Sequence, residues 1–445
     1  MRGIEAALNV LTSDNKGKFS SEALRILADR EFMKPADISL ASSLIYIVMR
    51  RKELWEKCSA DYIRSKEKLP TSVFMAILMG TGGLLELRRF SGGVLVNGII
   101  EYLRKNTSNA KYSGLVNAVL HKVIDNGQDT LEKFRRSPAV EGRAMFAGIP
   151  VWSLPAWSKT WSRKELYSIF DMMELPSFST LRVSPGKLEQ LTALLDAKGL
   201  RFQQSDISNA IRLNESILPA KVPGFNEGLC TVQAEGSILA ASIVRNFNKG
   251  SHILDMCSGR GIKSAQILQD CKSAKIECWD ISETRSKSAG HELERLGVRE
   301  RAVLKAGNAL FLVPDYSPDF VVLDAPCSCS GTWNRKPESK WKLDWRKLDS
   351  IVSTQKKLLE RAVNLCNHGG YILYITCSLL KQENENVVAE ILAQHSDCVD
   401  VSGLVGWNGK AFQKGKPYGV YILPPNSWLD GFYCSLILRK DYSHA

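Results

Sequence analysis

The amino-acid sequence predicts an α/β protein in three parts: an all-α domain over residues 1–125, a helical linker with a small α/β domain over 126–225, and a doubly wound, mostly parallel α/β domain over 226–445. Three observations support this prediction. Apolar residues recur at helical spacing through the first part, without strand-like alternation. From about residue 226 onward, short apolar runs alternate with helical patterns. Three of these runs end in small or polar residues, as buried parallel strands do where they deliver loops to a ligand.

Helices are predicted in the first part after Pro35, over Val73 to Leu87, and over Leu115 to Val123. Pro35 suits the first position of a helix, and the apolar residues from Ile38 to Val48 fall on one face. This pattern favours a domain that serves packing and leaves an RNA-docking domain open as the alternative.

The second part begins with a helical segment in which Trp152, Trp157 and Trp161 lie among arginines and lysines. Aromatic side chains between cations can stack bases and hold phosphates. Tryptophans more often fill a core or a seam between domains, so both interpretations stay open. Strands at 180–183 and 210–213 with a helix at 188–198 predict the small α/β domain that follows.

The third part alternates strands with helices along the chain. The predicted strands are 252–256, 276–279, 302–305, 320–323, 371–375 and 432–438, and the predicted helices are 263–269, 283–296, 348–366 and 384–394. Right-handed crossovers between parallel strands give a doubly wound sheet, which binds its ligands at the carboxyl ends of the strands.

The composition of the chain indicates which kind of partner the protein binds and in which cellular compartment it is expected. The net charge of +12 favours a polyanionic partner such as nucleic acid. Eleven cysteines, without a leader sequence or a long apolar run, predict reduced thiols in the cytoplasm and no membrane span. There is no C-x-x-C pair, and Cys327-Ser328-Cys329 has the wrong spacing for a zinc knuckle, so no metal site is expected.

The loop after the first strand of the third part has the features of a cofactor site. It places Asp255 at the strand end and Gly259 and Gly261 at a tight turn, where the backbone can approach a ligand closely. It lacks the glycine spacing of a dinucleotide site. Asp280, at the end of the next strand, can bind the ribose hydroxyls of a nucleoside. Together these features predict an adenosyl ligand without a pyrophosphate, for which S-adenosyl-L-methionine is the obvious candidate.

Two cysteines follow other strands of the same predicted sheet. Cys327 comes three residues after Asp324, and Cys377 lies between Thr376 and Ser378. A thiolate adds readily to carbon 6 of a pyrimidine and makes carbon 5 nucleophilic enough to take a methyl group, provided that nearby cations or helix ends lower the pKa of the thiol. The alternative is that both are buried small hydrophobes. That fate is expected for five further cysteines: Cys366, Cys398, Cys434, Cys271 and Cys278.

These motifs resemble the signature of the RsmB/Sun family of RNA (cytosine-5) methyltransferases. The resemblance rests on Asp324-Ala325-Pro326-Cys327-Ser328 with Gly331, on Lys340-Trp341, and on Thr376-Cys377-Ser378. Looser matches extend it over nearly the whole chain. It implies a Rossmann-like class I methyltransferase domain that uses S-adenosyl-L-methionine, and an amino-terminal NusB-like RNA-binding domain, as in the three-part bacterial ribosomal RNA enzymes.

The resemblance also implies a role for each matching residue. Cys377 is the nucleophile that adds to carbon 6, Cys327 helps to release the methylated product, and Asp324 hydrogen-bonds the base near ring nitrogen 3 and also lines the cofactor site. Lys263 lies near the reacting centre and lowers the pKa of a thiol. The residues expected to hold the cofactor are Cys257, Ser258, Gly259, Arg260, Gly261, Ile262 and Lys263 for its methionine part, Asp280 for the ribose and Asn308 for the adenine.

Three positions depart from the family pattern. Arg260 stands where the family has proline, Ile262 where it has glycine, and Asn308 where it has aspartate. Gly259 and Gly261 restore a more general methyltransferase spacing, so cofactor binding is expected to survive with a reshaped loop.

The function that the resemblance implies is methylation of carbon 5 of a cytosine in RNA, with small-subunit (16S) ribosomal RNA as the expected substrate. Two alternatives stay open. One is DNA cytosine methylation, in which the catalytic cysteine follows a proline, as Cys327 does. The other is a non-catalytic RNA-binding ribosome assembly factor that has kept the fold. RNA is the expected partner, and a monomer is the expected state.

Overall fold

The computed structural model of the protein describes residues 2–13, 20–87, 90–105, 108–175, 179–214, 217–248, 252–406, 412–423 and 430–441. The chain divides into two compact units. The first comprises Met1–Glu174 and Trp333–Lys342, and the second comprises Leu175–Thr332 and Leu343–Ala445. The domain borders expected from the sequence, after residues 125 and 225, remain predictions.

The first unit is helical, as the apolar spacing predicts. Its helices are α1 (Arg2–Thr12), α2 (Ser20–Arg30), α3 (Pro35–Ala60), α4 (Thr71–Glu86), α5 (Gly92–Lys105), α6 (Ser113–Arg135), α7 (Val140–Ala147), α8 (Leu154–Thr160) and α9 (Arg163–Glu174). The central helix α4 is buried along most of its length, because its glycines let neighbours approach: a Cβ on Gly80 would lie 2.6 Å from Leu120. Within the described residues, no helix combines the length and the apolar character that crossing a membrane requires.

The segment 333–342 belongs to this helical unit although it lies far along the chain. The Trp333 ring stacks on that of Trp157, with 5.8 Å between their centroids and 7° between their planes. Lys340 is almost completely buried, and its Nζ donates a hydrogen bond of 2.7 Å to the carbonyl of Arg50 and another to that of Gly148. The Arg50 carbonyl lies beside a kink of α3 at Arg51 (φ −137°, ψ 39°). The segment is therefore anchored by a lysine that binds backbone carbonyls.

The second unit contains a small antiparallel sheet with one helix between its strands. Its elements are β1 (Ser179–Val183), α10 (Leu188–Ala197), β2 (Phe202–Gln204), β3 (Ala210–Leu213) and β4 (Cys230–Val232). The strand order is β2-β3-β1-β4, with all three pairings antiparallel. This is the small α/β piece that the sequence predicts.

The rest of the second unit is a nine-stranded, mostly parallel sheet with helices between its strands. Its elements are α11 (Glu235–Phe247), β5 (His252–Asp255), α12 (Ile262–Asp270), β6 (Lys275–Asp280), α13 (Glu283–Arg295), β7 (Ala302–Ala306), β8 (Phe320–Asp324), α14 (Trp345–Leu365), β9 (Tyr371–Thr376), α15 (Glu385–Gln394), β10 (Cys398–Asp400), β11 (Phe412–Lys414), β12 (Val420–Ile422) and β13 (Phe432–Arg439). The strand order is β11-β12-β13-β9-β8-β5-β6-β7, and β10 pairs with β13.

Chain direction explains where this sheet can bind a ligand. Strands β7, β6, β5, β8 and β9 are parallel, and β13 is antiparallel to β9. From β5 the chain builds outward through β6 and β7, then returns to place β8 on the other side of β5. The strand order therefore reverses between β5 and β8, and doubly wound sheets bind ligands at such a reversal. The carboxyl ends of β5, β8 and β9 lie side by side there.

Candidate active site

The loop between β5 and α12 forms a tight turn with two glycines in the left-handed region, Gly259 at φ 59° and Gly261 at φ 72°. A Cβ on Gly261 would lie 3.0 Å from the Cβ of Ala289, so this glycine permits close packing. A Cβ on Gly259 would meet no described atom within 4 Å. Gly259 therefore presents bare backbone to open space. That this loop approaches a ligand stays a prediction.

Asp280 holds this turn against the end of β6. Its Oδ2 accepts a hydrogen bond of 3.0 Å from the Gly259 amide, and its Oδ1 accepts one of 2.8 Å from the Ser282 amide. Its backbone carbonyl accepts from the Gly307 amide at 2.9 Å, which places the start of the Asn308 loop beside the same strand end. Asn308 itself is exposed, and its Oδ1 accepts from the Leu310 amide at 3.0 Å.

Asp255 is a buried carboxylate at the end of β5. Ser264 Oγ donates to its Oδ2 at 2.6 Å, whereas its Oδ1 has no hydrogen-bond partner within the described part of the chain. Burial raises the pKa of Asp255 to about 7. A buried oxygen in this state is an acceptor that a cationic ligand group would satisfy.

Lys263 and Asp324 form an ion pair between the first turn of α12 and the end of β8. Lys263 Nζ lies 2.6 Å from Asp324 Oδ2 and 5.7 Å from the centre of the Phe432 ring. Burial works to lower the pKa of Lys263, but the neighbouring Asp324 carboxylate outweighs it, and the net shift of this pKa is upward. The Asp324 side chain is 32% exposed. A half-buried cation thus stands behind a carboxylate that a substrate can reach.

The two predicted cysteines meet at the ends of β8 and β9. Their Sγ atoms are 3.3 Å apart, and both side chains are half-buried. Hydrogen bonds with the Cys329 and Cys377 thiols, together with burial, raise the pKa of Cys327 well above its ordinary value. Thr332 Oγ1 lies 4.0 Å from Cys377 Sγ, and the Gly331 amide donates to the Cys377 carbonyl at 2.9 Å. The sulfurs can therefore face the same substrate atom.

Glu383 is a residue that sequence reasoning missed, and it joins the two cysteine loops. This fully buried carboxylate accepts hydrogen bonds from the Ser328 amide at 2.7 Å, from the hydroxyls of Ser328 and Ser378, and from Gln355 Nε2 at 3.1 Å. Each serine directly follows one of the two cysteines. The motif alone gives no signal for this role, because only the fold brings Ser328 and Ser378 to one acceptor.

Asn384 fixes the residues on both sides of Cys377. Thr376 Oγ1 donates to its Oδ1 at 2.6 Å, and its Nδ2 donates to the Ser378 carbonyl at 2.9 Å. The thiol of Cys377 is therefore held between two residues whose backbone positions are set by one amide side chain.

The structure thus brings the predicted residues together as pairs: Lys263 with Asp324, Cys327 with Cys377, and Gly259 with Asp280. The Asn308 side chain accepts a hydrogen bond from the Leu310 amide, two residues further along its own loop. Four of the five cysteines expected to serve packing are buried: Cys278, Cys366, Cys398 and Cys434. The fifth, Cys271, is only half-buried.

Two family models match the sequence. Residues 242–438 match the model described as 16S rRNA methyltransferase RsmB/F, and residues 3–125 match the model of the NusB family. The first match contains the strand ends that carry the two cysteines, the ion pair and the glycine turn. The second covers α1 to α5 and the first half of α6.

Similar proteins include ribosomal RNA small subunit methyltransferase B of Escherichia fergusonii, which is 29% identical over 74% of this chain and 73% of its own. A probable ribosomal RNA small subunit methyltransferase B of Coxiella burnetii is 29% identical over 90% of this chain and 92% of its own. The crystal structure of PH0851 covers 98% of both chains with a TM-score of 0.79 at 21% identity, which shows a shared fold.

Proposed function

Because the chain belongs to the RsmB/Sun family of RNA methyltransferases and carries an amino-terminal NusB-like domain, we propose that it transfers a methyl group from S-adenosyl-L-methionine to carbon 5 of a cytosine in RNA. The proposed substrate is small-subunit (16S) ribosomal RNA, and the proposed route is a covalent cysteine–pyrimidine adduct. One observation carries this proposal: two cysteine sulfurs lie 3.3 Å apart at the ends of adjacent strands. The Lys263–Asp324 pair lies at the end of the same strand β8.

The residues around the glycine turn fit an adenosyl ligand. Gly259 leaves open space where a side chain would stand, Asp280 keeps acceptor capacity at the end of β6, and the buried Oδ1 of Asp255 lacks a partner in the described structure. Residues 257–263 would hold the methionine part of the cofactor, Asp280 the ribose, and Asn308 would face the adenine. When bound, S-adenosyl-L-methionine supplies an electrophilic methyl group.

In the proposed reaction Cys377 is the nucleophile. Its sulfur lone pair forms a bond to carbon 6 of the cytosine, and the electron pair of the 5,6 double bond moves to carbon 5, which then accepts the methyl group. The raised pKa of Cys327 supports this assignment, since a thiol that keeps its proton can donate a hydrogen bond to a neighbouring thiolate.

Release restores the aromatic base. The carbon-5 proton passes to a solvent water, the electron pair of the broken C–H bond re-forms the 5,6 double bond, and the bond between carbon 6 and the Cys377 sulfur breaks to return the thiolate. We assign Cys327 to this step because its sulfur lies 3.3 Å from that of Cys377. Its thiol can donate a hydrogen bond to the departing Cys377 thiolate and orient the water that takes the proton.

The Lys263–Asp324 pair positions the base and balances charge. The half-exposed Asp324 carboxylate would hydrogen-bond the base near ring nitrogen 3. Lys263 behind it would offset the negative charge that the ring takes up as the thiolate adds. Lys263 stays charged behind it, because the Asp324 carboxylate raises its pKa against the effect of burial. The same cation favours the thiolate form of Cys377.

A target cytosine inside folded RNA cannot reach this pocket, so it would have to be flipped out of its stack. The net charge of +12 suits phosphate contacts, and the NusB-like domain is the proposed docking element for folded RNA.

Two single substitutions test the assignment of roles. Cys327→Ala should accumulate a covalent protein–RNA adduct in the presence of S-adenosyl-L-methionine, because attack is intact and release is impaired. Cys377→Ala should form no adduct. Denaturing gel electrophoresis of labelled RNA measures both, and Cys271→Ser serves as a control at a half-buried cysteine outside the site. The reverse pattern would make Cys327 the nucleophile, as in DNA cytosine methylation.

A second measurement addresses the alternative that the chain is a non-catalytic assembly factor that kept the fold. The altered loop residues Arg260 and Asn308 favour that alternative. Equilibrium binding of S-adenosyl-L-methionine together with bisulfite sequencing of 16S ribosomal RNA from a deletion strain separates the two. Cofactor binding and the loss of one 5-methylcytosine support the enzyme, whereas absent binding and an unchanged methylation pattern support the assembly factor.

A further inference from the structure

We propose that Cys327, Cys329 and Cys377 together form a binding site for one soft divalent metal ion, Zn²⁺ or its thiophilic relative Cd²⁺. The ion would be coordinated by the thiolates of the active site. The three Sγ atoms all lie within 4.8 Å of one another. The sequence alone argues against a zinc site, because it shows only the spacing of Cys327 and Cys329. The fold supplies the third thiol from the end of β9.

The separations match the size of such an ion. Zinc–sulfur bonds of ~2.3 Å at tetrahedral angles put two sulfurs about 3.8 Å apart. The Cys327–Cys377 separation of 3.3 Å lies below that value, and the upper bound of 4.8 Å for the cluster lies above it. Half-ångström movements of half-buried side chains would therefore give a regular three-sulfur site, and thiolate ligands select soft ions such as zinc.

Cys329 adopts a conformation that needs an explanation. Its φ of 58° lies in the left-handed region, where residues other than glycine and asparagine are uncommon. This conformation leaves its thiol 3.7 Å from the Cys327 carbonyl and within the cluster. The proposed reaction uses Cys327 and Cys377 and gives Cys329 no task. A metal ion is a ligand that would use all three sulfurs.

The surrounding charge suits the complex. Binding of one divalent ion releases three thiol protons to solvent and leaves three thiolates around the metal, with a net charge of −1 and a fourth position for water. Lys263 is a half-buried cation whose charge interacts with Cys377, so it offsets this negative charge. The remaining cysteines do not compete at this position: six are buried elsewhere, and the half-buried Cys257 and Cys271 lie outside the cluster.

A metal ion in this site would block the proposed nucleophile, because a thiolate bound to zinc shares with the metal the lone pair that would attack carbon 6. This consequence rests on the proposed function, but metal binding itself does not. The binding experiment therefore uses neither RNA nor S-adenosyl-L-methionine.

The test is a titration of the reduced, metal-free full chain with Cd²⁺, followed by the ultraviolet sulfur-to-cadmium charge-transfer absorption. We expect saturation at one ion per chain, with the intensity of three thiolates. Cys329→Gly should lower the intensity by about a third and weaken binding at least ~10-fold, because even the loss of a residue that only hydrogen-bonds a metal ligand costs about 10–100-fold. Glycine suits the left-handed φ, so this variant should melt no lower than the wild type.

Cys271→Ser is the matched control and should leave the titration unchanged. The proposal is wrong if Cys329→Gly binds Cd²⁺ as the wild type does, or if Cys271→Ser lowers the absorption equally, which would indicate scattered thiols. If the methyltransferase is active, Zn²⁺ should inhibit it, and Cys329→Gly should need at least ~10-fold more Zn²⁺ for the same fractional inhibition. An inactive protein that still shows the three-thiolate band would contradict the proposed function and leave the metal site standing.

Discussion

At the scale of single residues, the buried Glu383 carboxylate sets the geometry of both cysteines. It accepts from Ser328 and Ser378, which follow Cys327 and Cys377 directly in the chain. Burial raises the pKa of Glu383, while its hydrogen bonds oppose that shift. Because nucleophilic attack depends on placement within a fraction of an ångström, a residue that touches neither substrate nor cofactor can control the rate.

Glu383→Gln keeps the shape of this side chain but turns one acceptor into a donor, which must face either the Ser328 amide or the Ser328 and Ser378 hydroxyls that donate to Glu383. We expect the rate of covalent adduct formation to fall by about 10- to 100-fold, with little change in the KM for RNA. Single-turnover kinetics measure both quantities. Glu390→Gln on α15 is the control, since its ion pair with Lys356 lies at the surface. An equal fall in both variants would contradict the positioning role.

The raised pKa of Asp255 predicts how the free energy of unfolding changes with pH. Its pKa rises from 3.8 to about 7 on folding, so the native protein binds this proton more tightly than the unfolded chain. The associated stability is present below pH ~4 and is lost as the pH rises through ~7. Asp255→Asn mimics the protonated form, so its stability relative to the wild type should increase by up to about 4 kcal/mol between pH ~4 and pH ~8.

Denaturant unfolding of the second unit at several pH values measures this difference. Asp349→Asn, at an exposed position of α14, is the control and should change stability by less than about 0.5 kcal/mol at every pH. A pH-independent difference for Asp255→Asn would show that its carboxyl group does not titrate on its own in this range.

At the scale of secondary-structure elements, the loops after β8 and before β13 meet backbone to backbone. The Gly431 amide donates to the Gly331 carbonyl at 2.9 Å, and a Cβ on Gly331 would lie 2.0 Å from the Gly431 carbonyl oxygen. The amide of the same Gly331 holds the Cys377 carbonyl. Glycine is required at this position because the main chain of Gly431 and the loop that carries Cys377 both converge on it.

Gly331→Ala should therefore displace one of these loops. We expect a loss of stability of about 2–4 kcal/mol and a fall in adduct formation that exceeds the effect on cofactor binding. Gly403→Ala is the control, since a Cβ there meets no described atom within 4 Å. Thermal unfolding and cofactor titration measure the effects; a Gly331→Ala protein as stable as Gly403→Ala would contradict the close approach.

The same scale shows how much of the fold the sequence could predict. Long apolar runs such as β8 and β9, and the amphipathic helices α13 and α14, were predictable because periodicity and burial agree. The three-residue strands β2, β4, β10, β11 and β12 were missed, since so short a segment has no measurable alternation. The motif residues were predictable as separate strand ends. Their pairing was not, because Glu383 and Cys329 act only through contacts that the fold creates.

At the scale of the whole molecule, the net charge of +12 predicts RNA binding that depends on salt. Each phosphate contact releases a counterion, so the affinity for RNA should fall at least ~10-fold between about 50 and about 200 mM salt. Fluorescence anisotropy with a 16S ribosomal RNA fragment measures it. Binding of S-adenosyl-L-methionine over the same range is the internal control and should change little. A salt-independent RNA affinity would indicate that phosphates contribute little.

The anchoring of the segment 333–342 in the helical unit limits where the chain can be divided into separately expressed fragments. A fragment that starts at residue 175 would carry Trp333 and Lys340 without the helices that bury them. The apolar Trp333 ring would then face water, which favours aggregation. Lys340 would lose the main-chain carbonyls that it binds. Co-expression of both halves, or a short glycine replacement of this segment, is the route by which the catalytic half can be isolated for structural work.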